Sequence, residues 1–359
     1  MPGDTVRLTL ALIVKNEERC LARCLESIRG AVDEIVVADT GSSDGTVSIA
    51  KQFGARIFHF AWTNDFSAAR NFALDQATGD WILVLDADEY ASKELASEIC
   101  SFVTGRPSVG RLKIISEFKR NSQLLRSQTF VSRLFPRGAR FEGRIHEQLV
   151  SSLPRKNLKG ELWHDGYLET SKSDRNVKLL QEQLRSSPDN SYFLFQLALE
   201  YTSLNRPEQA CDCLQKAYAT SRLDEPFAPN LVVDYLYALM ELKRYETGLQ
   251  VLQKAEPLLA DFPDFYLVRG LFYMNLIRSN PGKHGAELPQ IEKSFNRCLA
   301  LGETETYKSV RGSGSFLAQY NLGLLYHVFG EKEKALACFE QASALGYEPA
   351  GQMLTKLRY

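Results

Sequence analysis

The sequence predicts an α/β domain built on a mostly parallel sheet, followed by an all-α domain of helical repeats. Three observations predict this. Up to about residue 110, short apolar runs alternate with helical patterns, as in a parallel sheet with crossover helices. One such run, Trp81-Ile82-Leu83-Val84-Leu85, passes straight into Asp86, Asp88 and Glu89. That puts carboxylates at the carboxyl edge of the sheet, where open α/β folds bind ligands. Beyond Tyr167 the composition turns helical, and similar units with helical spacing recur.

A chain of 359 residues is long enough for two cores. The formal net charge of -1 gives no reason to expect nucleic acid or an anionic membrane as partner. No apolar run is long enough to span a bilayer. Met1 to Asp4 lack a basic region, and the apolar Leu8 to Val14 is short and followed by Lys15-Asn16-Glu17-Glu18, so no signal peptide is expected. The seven cysteines include no Cys-x-x-Cys pair; Cys20/Cys24 are four apart and Cys211/Cys213 two apart. Reduced, mostly buried thiols in a cytoplasmic protein are the expectation, ahead of zinc or disulfides.

In chain order, Leu8 to Val14 reads as a first buried strand, and Glu17 to Ile28 as a helix with Leu21, Leu25 and Ile28 on one face, ended by Gly30. Glu34 to Ala38 is a second strand, Val47 to Phe53 a helix, Ala55 to Phe58 a short third strand. Asp65 to Ala77 is a helix with Asp65 or Ser67 as N-cap. The Trp81 strand follows. Two strands thus end in aspartate, Asp39 and Asp86, on the same edge of one sheet. Asp39 can accept hydrogen bonds from a base or ribose, and an aspartate just past an apolar strand has no capping task of its own. Asp44, in the loop Gly41 to Thr46, serves a ligand or caps the next helix. Asp86 and Asp88 share a face if the chain stays extended, and their oxygens suit Mg²⁺ or Mn²⁺ bound with substrate phosphates. The alternative is an acidic turn capping the helix that starts near Ser92.

Four stretches, in order, resemble family 2 glycosyltransferases of the GT-A fold: Ile13 to Glu18, Val37 to Thr46, Asp65-Phe66-Ser67-Ala68-Ala69-Arg70-Asn71, and Asp86-Ala87-Asp88. The resemblance covers the chain to about residue 185. It implies a nucleoside-diphosphate sugar as donor, most often a UDP-sugar, and inversion at the anomeric carbon. It also implies roles: Asp39 on the base, Arg70 on the nucleotide, Asp86 on ribose or sugar, Asp88 on the metal. Val14, Lys15, Asn16, Glu17, Asp44 and Ala87 complete the implied donor contacts. The alternative for Arg70 is an exposed helix cation.

From Gly110 the pattern changes to alternating strands, Arg111 to Ile115 and Thr129 to Phe135. Arg140 to Glu147 and Leu162 to Tyr167 follow, and these look like the subgroup of heptose/glucose-type transferases and sublancin-type peptide S-glycosyltransferases. A Glu-Asp pair common in the family is missing here, and His146-Glu147 takes its place. The chemistry needs a cation for the leaving diphosphate and a general base for the acceptor hydroxyl or thiol. Asp88 and His164, just before Gly166, are the candidate ligands of Mn²⁺ or Mg²⁺. The alternative for His164 is a partly buried ring packed beside Trp163 and Tyr167. Glu147 is the candidate base, its alternative the first turn of a helix. His146 orients Glu147 or touches the donor phosphates, and Glu89 orients its neighbours. The expected domains are 1–185, with a nucleotide-sugar half (1–110) and an acceptor half (111–170), and 186–359.

In the second domain, Ala210-x-x-x-Leu214, Gly248-x-x-x-Leu252, Ile291-x-x-x-Phe295 and Ala335-x-x-x-Phe339 anchor tetratricopeptide-like units, the last the best match. The anchors are spaced wider than the nominal 34 residues, so insertions are expected at Asn280 to Lys283 and Arg311 to Ser315. Such helix pairs present a concave surface to a peptide or build a homodimer; alternatively they only buttress the catalytic domain. The leading reading is a metal-dependent inverting transferase acting on a protein or peptide. The rivals are the same enzyme acting on a lipid-linked or cell-surface glycan, and a repeat scaffold carrying an inactive transferase domain. A sugar nucleotidyltransferase would need a glycine-rich basic loop where Lys15 to Glu18 stands, and is set aside.

Overall fold

The computed structural model describes residues 6–120, 123–164, 171–222 and 224–358. Met1 to Asp4, Gly166 and Tyr167, which entered the sequence reading, lie outside the described residues. The chain divides into two compact units, Met1–Glu169 and Thr170–Tyr359. The division falls earlier than residue 185 because the helix Ser171–Ser186 packs on the helix that follows it.

In the first unit, strands β1 (Leu8–Val14), β2 (Glu34–Asp39), β3 (Arg56–His59) and β4 (Trp81–Val84) are joined by helices α1 (Leu21–Ile28), α2 (Thr46–Gln52) and α3 (Phe66–Gln76). These four strands are parallel, with β1 between β2 and β4. After β4 come β5 (Glu89–Ala91), α4 (Lys93–Val103), β6 (Val109–Arg120), β7 (Gln123–Pro136), β8 (Arg140–Glu142), β9 (Gln148–Val150) and β10 (Arg155–His164). The sheet runs β3-β2-β1-β4-β7-β6-β10-β5, and β8 with β9 makes a separate ribbon. The central strands are apolar without alternation because both their faces are covered. Leu10, Leu12 and Leu83 pack with α1 and α4 on one face, and Ala11, Ile82 and Val84 with α3 on the other. Gly160 lets α4 lie directly on β10: a Cβ there would stand 2.4 Å from the Leu95 Cα.

Two differences from expectation shape the site. The β4 strand ends at Val84, and a turn closed by the Glu89 amide on the Asp86 carbonyl (3.0 Å) follows. Asp86 and Asp88 therefore do not share an extended face. The acidic turn also caps no helix, since Ser92 caps α4 itself through the Leu95 amide. On β7 the partners run Gly110↔Leu134 and then Arg111↔Ser132, leaving Arg133 as an extra residue. A bulge of this kind re-aims one side chain.

The second unit is helical: α5 (Ser171–Ser186), α6 (Ser191–Ser203), α7 (Pro207–Thr220), α8 (Ala228–Glu241), α9 (Tyr245–Ala255), α10 (Pro263–Ser279), α11 (Pro281–His284), α12 (Leu288–Leu301), α13 (Phe316–Val328), α14 (Lys332–Ala344) and α15 (Glu348–Arg358). Helices pack as pairs, α6 on α7, α8 on α9, α10 on α12, α13 on α14. Gly270 takes the Phe295 ring and Gly323 the Phe339 ring where a Cβ would approach within 2.6 Å. The segment after α12 is pinned by buried Asp264, which accepts from Ser309 Oγ (2.7 Å), Ser313 Oγ (2.6 Å) and the Val310 amide (2.8 Å).

Burial pushes the Asp264 carboxyl up to about 6 despite these hydrogen bonds. A group raised in the folded state contributes stability below its unfolded value and loses it as pH rises through the folded one. Asp264 is therefore expected to withdraw about 3 kcal/mol from this unit between about pH 4 and about pH 6, at ~1.4 kcal/mol per unit. Urea midpoints of the wild type and Asp264→Asn, compared across that window, should diverge by this slope. Parallel curves would remove the assignment.

Candidate active site

The carboxyl edge of the parallel strands is built as one row. Val14 aligns with Asp39, and Asp39 with His59. Asp39 is buried, and its carboxylate accepts the Gly41 (3.3 Å) and Ser42 (3.1 Å) amides and meets His59 Nδ1 at 3.2 Å. It thus shapes the following loop, contrary to the expectation that it has no such task. The loops after β1 and β2 are stitched together. Val14 carbonyl accepts from Thr40, the Asn16 side chain accepts the Ser43 amide (2.8 Å), and the Glu17 amide donates to Thr46 Oγ1 (2.7 Å). Asn16 holds a left-handed backbone, φ 56. Asp44 spends both oxygens inside this structure, on the Thr46 and Glu18 amides, while the N-cap position of α2 is Gly45. Lys15 is exposed and Ala87 buried.

Helix α3 carries the next part. Asp65 caps it by accepting the Ala68 amide (2.9 Å). Arg70, expected at the nucleotide or exposed, is buried. Its Nη2 donates to Asp86 Oδ1 (2.8 Å) and its Nε to Glu147 Oε1. Asn71 grips β8 from both sides, through the Phe141 amide and carbonyl, and the Phe66 amide donates to the Arg144 carbonyl. The ribbon bearing Glu147 is thereby fastened to α3. Residues 143–147 form a turn in that ribbon rather than the start of a helix, with φ 100 at Gly143 and φ 54 at His146. The group that orients the Glu147 carboxylate is Arg70.

Arg133, which the sequence reading missed, completes the network. Its Nη2 donates to Asp86 Oδ2 (2.7 Å) and to Glu89 Oε1 (2.8 Å), and the Asp86 amide donates to Glu89 Oε2 (2.8 Å). Burial opposes charge on Asp86, but Arg133 and Arg70 overcome it and hold this carboxyl far below its usual range. Burial raises Glu89, against the pull of Arg133. Asp86 is a fully engaged anion that organises its neighbours, and Glu89 orients them as expected.

Asp88 turns away from Asp86 toward β10, where its Oδ1 lies 3.5 Å from His164 Nε2. Both side chains are mostly buried. Burial works against a charged His164, while the hydrogen bond to Asp88 raises it. A carboxylate oxygen and an imidazole nitrogen 3.5 Å apart are close enough to share a divalent cation, and as donors fit Mn²⁺ better than the oxygen-demanding Mg²⁺. Among the described residues no group of three His, Cys, Asp or Glu could hold a metal alone. Such an ion would need oxygens from its substrate or water, as is common for these cations.

Residues 9–149 match the model of the glycosyl transferase family 2, and residues 191–222 and 317–345 match the tetratricopeptide repeat. The SPbeta prophage-derived glycosyltransferase SunS of Bacillus subtilis is 34% identical over 231 residues, covering 60% of this chain and 54% of SunS. A TPR repeat-containing protein of Synechococcus elongatus is 35% identical over 209 residues, covering 53% of this chain and 51% of that protein. The chain spans about half the length of these curated relatives. The crystal structure of S. aureus TarS 1-349 in complex with UDP-GlcNAc aligns over 74% of this chain and 86% of that one, at 16% identity and a TM-score of 0.39.

Proposed function

We propose that this chain, whose N-terminal half carries a family 2 glycosyltransferase domain and whose C-terminal half carries tetratricopeptide repeats, transfers a sugar from a nucleoside-diphosphate sugar, foremost a UDP-sugar, to a protein or peptide. The observation that carries this reading is that β2 ends in Asp39 on the same edge of the sheet where β4 runs on into the Arg70–Asp86–Glu147 ion pairs and the Asp88–His164 pair.

In this reading Asp39 and the Asn16–Ser43 loop receive the base and ribose. Arg70 and Arg133 fix Asp86 against the donor. Glu147 keeps one oxygen on Arg70 and uses the other to take the proton of the acceptor hydroxyl or thiol. The freed lone pair bonds to the anomeric carbon as the bond to the diphosphate oxygen breaks, so one displacement inverts the centre and releases the nucleoside diphosphate. Asp88 and His164 would hold Mn²⁺ or Mg²⁺, which when bound supplies positive charge for the departing diphosphate. The repeats recruit the acceptor or pair two copies of the chain. Among the described residues no helix is long and apolar enough to cross a membrane, and the seven cysteines are free thiols, which suits a reducing cytoplasmic setting.

The test is donor hydrolysis over a panel of nucleotide sugars with and without Mn²⁺, together with UDP binding by calorimetry. Absence of both turnover and UDP binding would favour an inactive scaffold. Asp88→Asn is expected to lower metal-dependent hydrolysis by about 10–100-fold, the scale of disturbed metal sites, with the far-UV spectrum and melting temperature retained. Wild-type turnover in this variant would exclude Asp88 from the metal site.

A further inference from the structure

The acceptor half carries an excess of positive charge that the reaction above does not use. Residues 109–164 hold twelve lysines and arginines against four aspartates and glutamates, in a chain of formal net charge -1. Asymmetry of this kind points to an anionic partner. Part of the excess is committed: Arg133 to Asp86 and Glu89, Arg140 to Asp75, Arg126 to Glu117. Lys113 stands opposite Glu161 in the β6–β10 register.

Arg111 and Arg155 differ. In the parallel β6–β10 ladder Arg155 pairs with Val109 and Asn157 with Arg111, so the two arginines are diagonal neighbours on one face of the sheet. Each is anchored by a backbone carbonyl: Arg111 Nη2 donates to Phe130 O (3.0 Å) and Arg155 Nη2 to Leu149 O (3.2 Å). Neither meets a carboxylate at ion-pair distance among the described residues. The Arg111 guanidinium lies 5.7 Å from the Phe130 ring centroid, with Lys113 Nζ 5.4 Å from the same ring. Burial, and then Arg155, push Arg111 below its ordinary value, as two like charges held together do. A guanidinium has five N–H donors, so each arginine keeps most of its fork for a planar anion. Leu149, which anchors Arg155, lies two residues past Glu147 on the same ribbon.

We propose that Arg111 and Arg155, beside the Phe130 ring, form a binding site for the carboxylates of an acidic peptide, so that the acceptor residue is chosen by flanking Asp or Glu. The word acceptor rests on the transferase reading; the anion site does not. A peptide is favoured over a phosphorylated glycan because the same chain carries tetratricopeptide repeats, whose helix pairs suit peptides.

The experiment uses the full chain and fluorescence anisotropy. The probes are a fluorescein-labelled dodecapeptide of Glu, Ser and Gly, its Gln counterpart, and inorganic polyphosphate as competitor. UDP affinity is measured alongside by calorimetry. The Glu peptide should bind at least about tenfold more tightly than the Gln peptide, and Arg111→Gln and Arg155→Gln should each weaken it about tenfold, the scale of a lost charge-assisted hydrogen bond. UDP affinity should not change. Arg111→Lys, which keeps charge and stem but loses the fork, should bind more tightly than Arg111→Gln and less tightly than the wild type, and guards against a folding defect. Equal binding of the two peptides, binding of neither, or full affinity in the double Gln variant would overturn the proposal. Polyphosphate binding more tightly than the Glu peptide, with the same arginine dependence, would overturn the peptide assignment. Loss of UDP binding alone, with arginine-dependent peptide binding intact, would sink the transferase reading and support the site.

Discussion

Arg133→Met is expected to destabilise the first unit by about 3–5 kcal/mol, the cost of removing one partner from a buried ion pair. Arg133 is 8% exposed and Glu89 2%. One Nη2 of Arg133 serves both Asp86 and Glu89. Methionine fills the stem but leaves Glu89 buried beside the Asp86 amide and the Asp86 negative charge, with His164 the remaining group that favours its charged form. Asp86 keeps Arg70. Glu89→Gln in the same chain should therefore recover part of the loss, because it removes the stranded charge while keeping an acceptor for that amide. The coupling between the two substitutions, read from urea denaturation as a double-mutant cycle, should exceed about 1 kcal/mol. A loss in Arg133→Met below about 1 kcal/mol would mean that water reaches this network.

Glu147→Gln is expected to lower transfer to acceptor by about 10²–10⁴, the usual worth of a positioned general base. Glutamine keeps a carbonyl oxygen for Arg70 Nε, so the α3–ribbon contact and the fold should survive. UDP binding should be unchanged, which separates loss of the base from loss of the site. Single-turnover transfer is the measurement. Unimpaired transfer would require another base and leave Glu147 as a partner that holds Arg70 in place.

Much of the fold was legible because its signals are local. The short apolar runs within Leu8–Val14, Glu34–Asp39 and Trp81–Val84 read as strands covered on two faces, and they are strands. The anchor at Gly248 records a place where a ring must come close, since a Cβ there would run into Phe272. The site was legible as a set of residues rather than as a set of contacts. Asp86 and Asp88 were read as sharing a face, yet the turn after Val84 sends one to two arginines and the other to His164. Arg133 was overlooked because Thr129 to Phe135 was read as alternating, although the polar pair Ser132-Arg133 breaks the period where the bulge lies. The available signal was an arginine amid Phe130, Val131, Leu134 and Phe135, a charge with no solvent side to occupy. His59 escaped because it became the neighbour of Asp39 only through the β2–β3 register.

Asn71 and the Phe66 amide bind the β8–β9 ribbon to α3 at three backbone points. Ribbon and helix are then expected to travel as one piece, which keeps the Glu147 carboxylate beside Arg70. Any opening that admits a bulky donor has to hinge elsewhere in the chain.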